Sequence, residues 1–284
     1  MLLNLTPLST TIFTQNSPRE STASVPHRLF DISTKVWFAV VVIGQLIFAY
    51  YILMLYGAAG LQGNFERWNA VTTHGYVPRD WVGNLVFGAH VLFAAIITIG
   101  GPIQLLPQIR TRIPRFHRIN GRIYIGSAFL ISLAGLYLAW VRGAAGGLTG
   151  SIFITINGLI ILTCAYFAIR YAVQRKLELH RQWAIRLFLA MSGVWFFRVF
   201  LMLWLVIHQA PVGFDPETFE GPFLNALSLF VYILPQVFAQ IYFHAKATDS
   251  NTFKIAASLG LITLTVGILV GIFAATMGMW LPRL

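Results

Sequence analysis

Two matching segments of this sequence each carry a histidine that could bind a cofactor. One runs from His117 to Tyr124, and the other runs from His180 to Arg186. Each begins with His-Arg, keeps a second Arg close behind, follows a basic loop and leads into a long apolar stretch. Two neutral imidazoles at similar depth on facing helices can hold a haem iron from both axial sides. The pattern therefore predicts a site in which His117 and His180 are the axial ligands.

The residues around these histidines suit the same site. Four arginines could pair with haem propionates, namely Arg118, Arg122, Arg181 and Arg186. Gly121 lies one helical turn from His117, and Tyr124 continues the same face. This face has room for a flat ligand, haem or quinone, or for another helix. Alternatively, His and Arg at a cytoplasmic helix end only reach toward lipid head groups.

Arg198 lies within the apolar run that follows His180. The two are 18 residues apart, about 27 Å along a helix, so Arg198 falls in the other half of the membrane. An arginine at such a position is costly and by default marks a functional site. His90 has a similar depth, and we expect the two to form a polar pocket for an anionic or carbonyl-bearing ligand. Alternatively, Arg198 reaches outward to Asp80 or to the acids of 215–220, and His90 is an ordinary interhelical hydrogen-bonding residue.

A few other residues inside the apolar stretches could line a pocket or simply help helices to pack. The polar ones are Gln104, Asn157, Gln236 and Gln240. Pro235 predicts a kink in its helix. Gly267 and Gly271 form the Gly-x-x-x-Gly pattern that is typical of closely packed membrane helices.

The composition indicates a membrane protein. Hydrophobic residues make up 57% of the chain, charged residues 10%, and the mean hydropathy is +0.72. About a quarter of the residues of a soluble domain are charged. The net charge of +11 comes from basic residues between apolar stretches, so we expect membrane lipids as partners, with another membrane complex as a further candidate, and no nucleic acid. The single Cys164 excludes an internal disulfide and a cysteine-built zinc site.

Seven stretches are long enough to cross a bilayer, which takes about 20 apolar residues. They cover roughly 36–57, 82–106, 118–141, 151–173, 183–207, 223–245 and 255–280. Backbone in contact with lipid must satisfy its own hydrogen bonds, so these stretches are predicted to be helices. The predicted fold is all-α, a multi-pass membrane protein with about seven transmembrane helices around a core bundle of four to five. Pro114 is a candidate first residue of the third span, which would place His117 in its first turn.

Basic residues predict the orientation. Fifteen of the twenty Lys and Arg residues fall in segments on one side of the predicted membrane, and four fall on the other. Because cytoplasmic loops are rich in Lys and Arg, we expect the N-terminus inside a bacterial inner membrane and the C-terminus outside. Residues 1–34 are polar and are predicted to be a flexible cytoplasmic tail without a cleaved leader. Residues 35–284 then form one membrane domain.

One combination of motifs is more specific than its parts. The motifs are Ala89-His90, Gly101-Pro102-Ile103-Gln104, His117-Arg118-x-x-Gly121-Arg122-x-Tyr124, His180-Arg181-x-Trp183 with Arg186, and Arg198. In this combination the chain resembles a bacterial family of predicted membrane proteins, the domain of unknown function 2306. The resemblance covers roughly residues 83–245 and implies an integral inner-membrane protein with a helical core and no assigned activity.

A looser likeness connects the histidines to transmembrane b-type cytochromes, which hold two haems between membrane helices. The fourth span carries no histidine, so only the pair His117 and His180 fits that pattern.

Three functions follow from these observations as hypotheses. The leading one is a redox or electron-transfer protein of the membrane that holds a haem b or a quinone. The second is a cofactor-free assembly or scaffold subunit that binds lipid head groups or a partner complex. The third is a small-anion carrier centred on Arg198. No phosphate loop, nucleophile elbow, zinc-protease signature or dinucleotide motif occurs in the sequence, so we name no catalytic residue and leave open whether the protein is an enzyme.

Overall fold

The computed structural model describes residues 24–72 and 74–284, and this part of the chain is folded into helices. Its eleven α-helices are α1 (Val25–Ile52), α2 (Ala58–Leu61), α3 (Trp81–Leu105), α4 (Pro107–Arg112), α5 (Pro114–Tyr137), α6 (Gly147–Val173), α7 (Leu177–Met191), α8 (Gly193–His208), α9 (Pro222–Tyr232), α10 (Leu234–Ala247) and α11 (Asn251–Ala275). Turns of π-helix follow α1, α5 and α11 at Leu53–Gly57, Leu138–Gly143 and Thr276–Trp280. Two 3-10 turns occupy Phe65–Ala70 and Leu281–Arg283. The predicted all-α class is confirmed.

The helices are long enough to make a multi-pass membrane protein. Among the described residues, six helical stretches could cross a bilayer by length and composition, and there are seven if the bent pair α7 and α8 is one span. The six are Val25–Leu61, Trp81–Leu105, Pro114–Gly143, Gly147–Val173, Pro222–Ala247 and Asn251–Arg283. The bent pair meets at Ser192 with an angle of 50°. Each predicted span coincides with one of these stretches or with the bent pair.

Helix α1 begins earlier than the sequence pattern predicts. It starts at Val25, with Pro26 in its first turn, whereas the predicted span starts near residue 36. Proline is tolerated in a first helical turn because the N–H groups there have no intrahelical partner. Residues 25–34 are therefore helical instead of belonging to the predicted tail. The rest of that tail, residues 1–23, lies outside the described residues.

Local sequence signals place the ends of the helices. Asp80 caps α3, because its Oδ1 accepts a hydrogen bond from the Gly83 N–H at 2.9 Å. Pro114 is the first residue of α5, as predicted, so His117 lies in the first turn of that helix. A one-residue break at Ile233, between α9 and α10, lies just before Pro235, where the sequence predicts a kink.

Close packing joins the helices into a bundle. Helix α11 lies against α1 and α8, α3 lies against α5, and α6 lies against α5 and α7. At Gly271 of α11 a Cβ atom would collide with the carbonyl oxygen of Val199 on α8, so the two backbones touch there. This is the close approach that the Gly267–Gly271 pattern predicts.

The bundle turns many large apolar side chains outward and several polar side chains inward. Leu85 of α3, Leu133 of α5 and Phe273 of α11 are each more than half exposed, which suits contact with lipid chains. Gln45 and Asn157 are buried instead. Polar side chains with hydrogen-bonding groups are therefore found inside the bundle.

We call the end of the bundle that carries His117 and His180 the basic end, and the end that carries Asp80 and Arg142 the opposite end. His117 lies in the first turn of α5 and His180 lies in the first turn of α7, so both predicted haem ligands are at one end, as expected from the sequence.

Candidate functional site

A cavity of about 280 Å³ lies inside the bundle, between α1, α3, α5, α6, α7, α8 and α9. Its lining on α5 and on the π-helical turn that follows runs from Tyr124 to Leu138, a distance of 14 residues or about 21 Å along the helix. Small-molecule sites in proteins usually measure roughly 300–1000 Å³, so this cavity is near the lower end of that range. The cavity is therefore long and narrow. An elongated ligand fits it better than a round one.

The lining holds hydrogen-bonding atoms that no protein group satisfies. Nine buried side-chain N or O atoms of the described residues have no hydrogen-bond partner in the protein, and six of the nine belong to residues that line this cavity. The six are Gln45 Oε1, Tyr51 OH, His90 Nδ1, Tyr124 OH, Ser132 Oγ and Asn157 Oδ1. More than nine tenths of buried polar groups in proteins are hydrogen-bonded, and an unsatisfied one is costly. Their concentration in one cavity indicates a place for a ligand with hydrogen-bonding groups.

Arg198 supplies the positive charge of this cavity. Its Nη1 donates a hydrogen bond to the Val194 carbonyl, one turn earlier on α8, at 3.2 Å. Its guanidinium lies over the ring of Phe48 on α1. In the described part of the chain no carboxylate lies within ion-pair distance of Arg198, and Asp80 pairs with Arg142 instead. The alternative in which Arg198 reaches Asp80 or the 215–220 acids is therefore wrong.

Three tyrosines share the cavity with this guanidinium. Tyr51, Tyr56 and Tyr232 line the cavity and lie close enough to Arg198 to interact with its charge. A phenol can donate or accept a hydrogen bond, whereas a guanidinium only donates. The end of the cavity near Arg198 is thus suited to a group rich in oxygen acceptors.

His90 contributes from α3. Its ring lies near the backbone of Ile131 on α5, and its Nδ1 has no protein partner. The absence of a side chain at Gly135 leaves room for this imidazole ring, since a Cβ there would lie 3.2 Å from His90 Cε1. His90 and Arg198, which the sequence predicts to share a polar pocket, both line the same cavity.

The predicted haem ligand His117 is engaged within the protein. Its Nε2 lies 3.3 Å from the side-chain amide nitrogen of Gln104 on α3, which must be the donor if the ring nitrogen accepts. The oxygen of the same Gln104 amide accepts from Asn120 at 2.9 Å. A Cβ at Gly121 would lie only 2.7 Å from the Gln104 nitrogen. The space beside Gly121 is therefore filled by another helix, which is one of the two outcomes expected from the sequence.

His180 is held differently. Its Nδ1 lies 2.9 Å from the Ala168 carbonyl on α6 and must donate, because a carbonyl oxygen can only accept. His117 and His180 are near enough to influence one another electrostatically. Neither residue lines the cavity described above. Haem binding at this pair would require Gln104 to release the Nε2 of His117.

The four arginines predicted to hold propionates have different surroundings. Arg118 and Arg122 are exposed. Arg181 pairs with Glu178 at 2.7 Å on the same helix. Arg186 donates to the Gln236 carbonyl on α10 at 3.0 Å. The structure thus brings no group of four arginines together around the histidines, and Tyr124, the remaining predicted residue, lines the cavity instead.

Gln45, Tyr51 and Ser132 also line the cavity, and none of them belongs to the predicted site. Gln45 Nε2 donates to Ser192 Oγ at 2.8 Å and so connects α1 to the break between α7 and α8. Gln45 and Ser132 could have been identified from the sequence, because each is a polar residue within a predicted span.

A buried arginine closes the opposite end of the bundle. Arg142 donates to Asp80 Oδ2 at 2.7 Å, to Asn84 Oδ1 at 2.7 Å and to the carbonyls of His74 and Gly75 at 3.0 Å each. The Gly83 N–H and then the Arg142 guanidinium hold the pKa of the Asp80 carboxyl below its ordinary value. Arg142 thereby fastens the segment around residues 74–80 to α3, beside Thr72 of the cavity lining.

Comparison with known proteins supports the membrane assignment and adds no activity. No curated protein and no solved structure matches this chain. In the described residues no group of three or more His, Cys, Asp or Glu side chains could hold a metal ion. The looser likeness to b-type cytochromes stays a prediction. The predicted family resemblance is confirmed, because residues 87–216 match the model of the family described as Predicted membrane protein (DUF2306).

Proposed function

We propose that this protein binds a quinone-class molecule, a lipid-soluble ring with two carbonyl oxygens, in the cavity lined by His90 and Arg198. The observation that carries the proposal is the set of six unsatisfied buried polar atoms around that cavity. Arg198 adds a cation with no carboxylate partner among the described residues. Ligand sites of this kind combine mostly apolar walls with a few convergent polar groups.

The chemistry of the lining suits a quinone in both of its states. The oxidised ring presents carbonyl oxygens, which accept hydrogen bonds from Arg198 and from tyrosine hydroxyls. The reduced ring presents hydroxyl groups, which also donate. Tyr51, Ser132 and a neutral His90 can each serve as donor or acceptor, so the same groups can satisfy both forms.

The shape of the cavity supports the same ligand class. The ring would lie near Arg198 and His90, and the apolar walls along α5 would receive the start of a hydrocarbon tail. Quinones carry electrons within membranes, so a site of this kind belongs to a membrane redox protein. We propose that it lies in a bacterial inner membrane with the basic end toward the cytoplasm, because the basic residues gather there.

The geometry favours a quinone over haem. The Nε2 of His117 and the space beside Gly121 are both occupied by Gln104. Haem at His117 and His180 stays a prediction, and a reduced-minus-oxidised absorption spectrum of the purified protein tests it. A second membrane complex as partner also stays a prediction.

The test is to purify the protein from bacterial membranes, extract it with organic solvent and identify quinones by mass spectrometry. Two variants probe the cavity, Ser132→Phe, which places a ring inside it, and Arg198→Leu, which removes the charge. Their matched controls are Leu133→Phe, on the exposed face of α5, and Arg170→Gln, at the exposed end of α6.

We expect quinone to co-purify with the wild type and with both controls, and to be lost from both cavity variants. Quinone retained by Ser132→Phe and Arg198→Leu at the level of the controls would refute the proposal. A small anion that competes for the cavity and that depends on Arg198 alone would favour the anion carrier instead. Circular dichroism of each variant establishes that it is folded.

A further inference from the structure

A second cavity, of about 400 Å³, lies on the outside of the bundle between α6, α7 and α10. We call it the α6–α10 groove. Its main lining residues are Ile156, Leu159, Ile160, Trp183, Arg186 and Gln236. The α6 side of the groove is mostly apolar, with Thr163 as its one hydroxyl-bearing residue, and Leu159 is 56% exposed. On a membrane helix an exposed leucine of this kind meets lipid chains.

One end of the groove carries a charge. Arg186 Nη1 donates to the Gln236 carbonyl at 3.0 Å, and its Nη2 donates to Gln240 Oε1 at 2.6 Å. The guanidinium also lies 5.7 Å from the Trp183 ring centre and 5.3 Å from that of Phe243. All of these partners are uncharged, and no carboxylate of the described residues forms an ion pair with Arg186.

The partners of the Arg186 guanidinium on α10 run from Gln236 to Phe243, toward the basic end of the bundle. Gln240 and Phe243 lie seven and four residues before Ala247, the last residue of α10. These separations correspond to about 10 and 6 Å along the helix. Arginine side chains in membranes commonly extend in this way, with the stem in the hydrocarbon and the charge near the head groups. The apolar part of the groove then lies deeper in the membrane than the charge.

We propose that the α6–α10 groove binds an anionic phospholipid of the surrounding membrane. One acyl chain lies along Ile156, Leu159 and Ile160, and the phosphate meets the guanidinium of Arg186. Arginine is well suited to phosphate because its planar fork can donate two parallel hydrogen bonds. The uncharged protein partners hold the guanidinium in place without neutralising it, so the charge remains for the lipid.

This site is separate from the proposed quinone site. Ile156, Leu159 and Ile160 face the groove, whereas Asn157, Gly158 and Ile161 of the same helix face the central cavity. The two sets lie on opposite sides of α6, so one site can fail while the other is intact.

The test compares wild-type protein in nanodiscs of pure phosphatidylcholine with protein in nanodiscs that also contain phosphatidylglycerol. Native mass spectrometry of protein released from the mixed discs counts the retained lipids. We expect the wild type to retain phosphatidylglycerol in preference to phosphatidylcholine. Arg186→Gln should retain it about tenfold less well, which is the usual effect of losing one hydrogen bond to a charged group.

Two further variants separate the parts of the site. Ile160→Trp narrows the groove and leaves Arg186 unchanged, and it should also reduce lipid retention. Arg170→Gln removes a cation from the exposed end of α6, outside the groove, and should have no effect. Arg186→Lys keeps the charge but has a single donor group, so it should retain an intermediate amount of phosphatidylglycerol. This conservative variant also shows whether the loss in Arg186→Gln reflects the side chain and not misfolding.

Three results would overturn the proposal. The first is equal retention of phosphatidylglycerol by the wild type and Arg186→Gln. The second is equal loss in Arg170→Gln, which would mean that the net charge alone attracts the lipid. The third is full competition by inorganic phosphate, which would identify a free-anion site. Quinone content measured on the same samples shows whether the central cavity has been disturbed.

Discussion

The guanidinium carbon of Arg198 lies 5.4 Å from the centre of the Phe48 ring. Phe48 is on α1 and Arg198 is on α8, so this contact joins two spans across the central cavity. A cation over an aromatic face is stabilised by about 0.5–2 kcal/mol, depending on how far it is removed from water. The contact positions the charge, and apart from the hydrogen bond to the Val194 carbonyl it leaves the donors of the guanidinium available, which suits a carbonyl-bearing ligand.

Both the positive charge of Arg198 and the several N–H donors of its planar guanidinium should contribute to ligand binding. Arg198→Leu removes both, and we expect quinone affinity to fall by about tenfold or more, in line with the loss of a charge-assisted hydrogen bond. Arg198→Lys keeps the charge but has a single donor group, so its affinity should be intermediate. Titration of quinone into protein in nanodiscs, followed by tryptophan fluorescence, measures the difference. Equal affinity in all three proteins would show that Arg198 does not contact the ligand.

Gly271 should be the least replaceable glycine of α11. A methyl group there would collide with the Val199 carbonyl, which is backbone and cannot swing aside. We expect Gly271→Ala to lower the melting temperature by several degrees, because α8 and α11 must move apart. Gly260 of the same helix has nothing within 4 Å of its would-be Cβ, so Gly260→Ala is the control. It should be neutral or slightly stabilising, since alanine favours a helix over glycine by up to about 1 kcal/mol.

Stability should depend on pH through Asp80. Its pKa is lowered in the folded state by the Gly83 N–H and the Arg142 guanidinium. The ionised carboxylate therefore stabilises the fold above the unfolded pKa of about 4, and this contribution disappears as the pH falls through the lower folded pKa. We expect the wild type to lose more of its melting temperature than Asp80→Asn between about pH 7 and about pH 3.

Glu66→Gln is the control for that pH series, because Glu66 is exposed at the same end of the bundle. It should keep the pH dependence of the wild type. Arg142→Gln should destabilise the protein more than Asp80→Asn at neutral pH, since Arg142 also donates to Asn84 and to two backbone carbonyls. Parallel pH curves for the wild type and Asp80→Asn would contradict this account.

The number of spans can be tested by a reporter fused after Leu284. If the bent pair α7 and α8 is one span, the chain crosses the membrane seven times between Val25 and Arg283. The two ends then lie on opposite sides, and the basic-residue pattern places the fused reporter outside the cytoplasm. Alkaline phosphatase, which is active outside the cytoplasm, should be active at this position, and green fluorescent protein should be dark. The reverse result would mean that the bent pair returns to the side from which it enters.

The sequence was sufficient to predict the features that are determined by the order of neighbouring residues. A long apolar run predicts a helix, Pro114 predicts a helix start, and an arginine among aromatic residues identifies Arg198 as unusual. Each of these signals depends on residues that are close in the chain. The same holds for Gly267 and Gly271, whose spacing places them on one face of α11.

Features that depend on which side of a helix faces inward could not be predicted in this way. Gln45, Tyr51 and Ser132 are ordinary residues of apolar spans until the tertiary packing turns them into one cavity. The pair Asp80 and Arg142 is 62 residues apart in the chain, and several acids and bases at the same end were equally eligible. Gln104 fills the space beside Gly121 only because α3 lies against α5.

The bend at Ser192 has a consequence for the biogenesis of the protein. Helices α7 and α8 have 15 and 16 residues, or about 23 and 24 Å, and the hydrocarbon layer is about 30 Å thick. Neither half is long enough to cross alone, so the two helices act together in the membrane with the polar Ser192 at the joint between them. Gln45 provides the hydrogen bond to that joint from α1. Because α1 precedes α7 and α8 in the chain, Gln45 is already present to form this hydrogen bond when the bent pair is inserted.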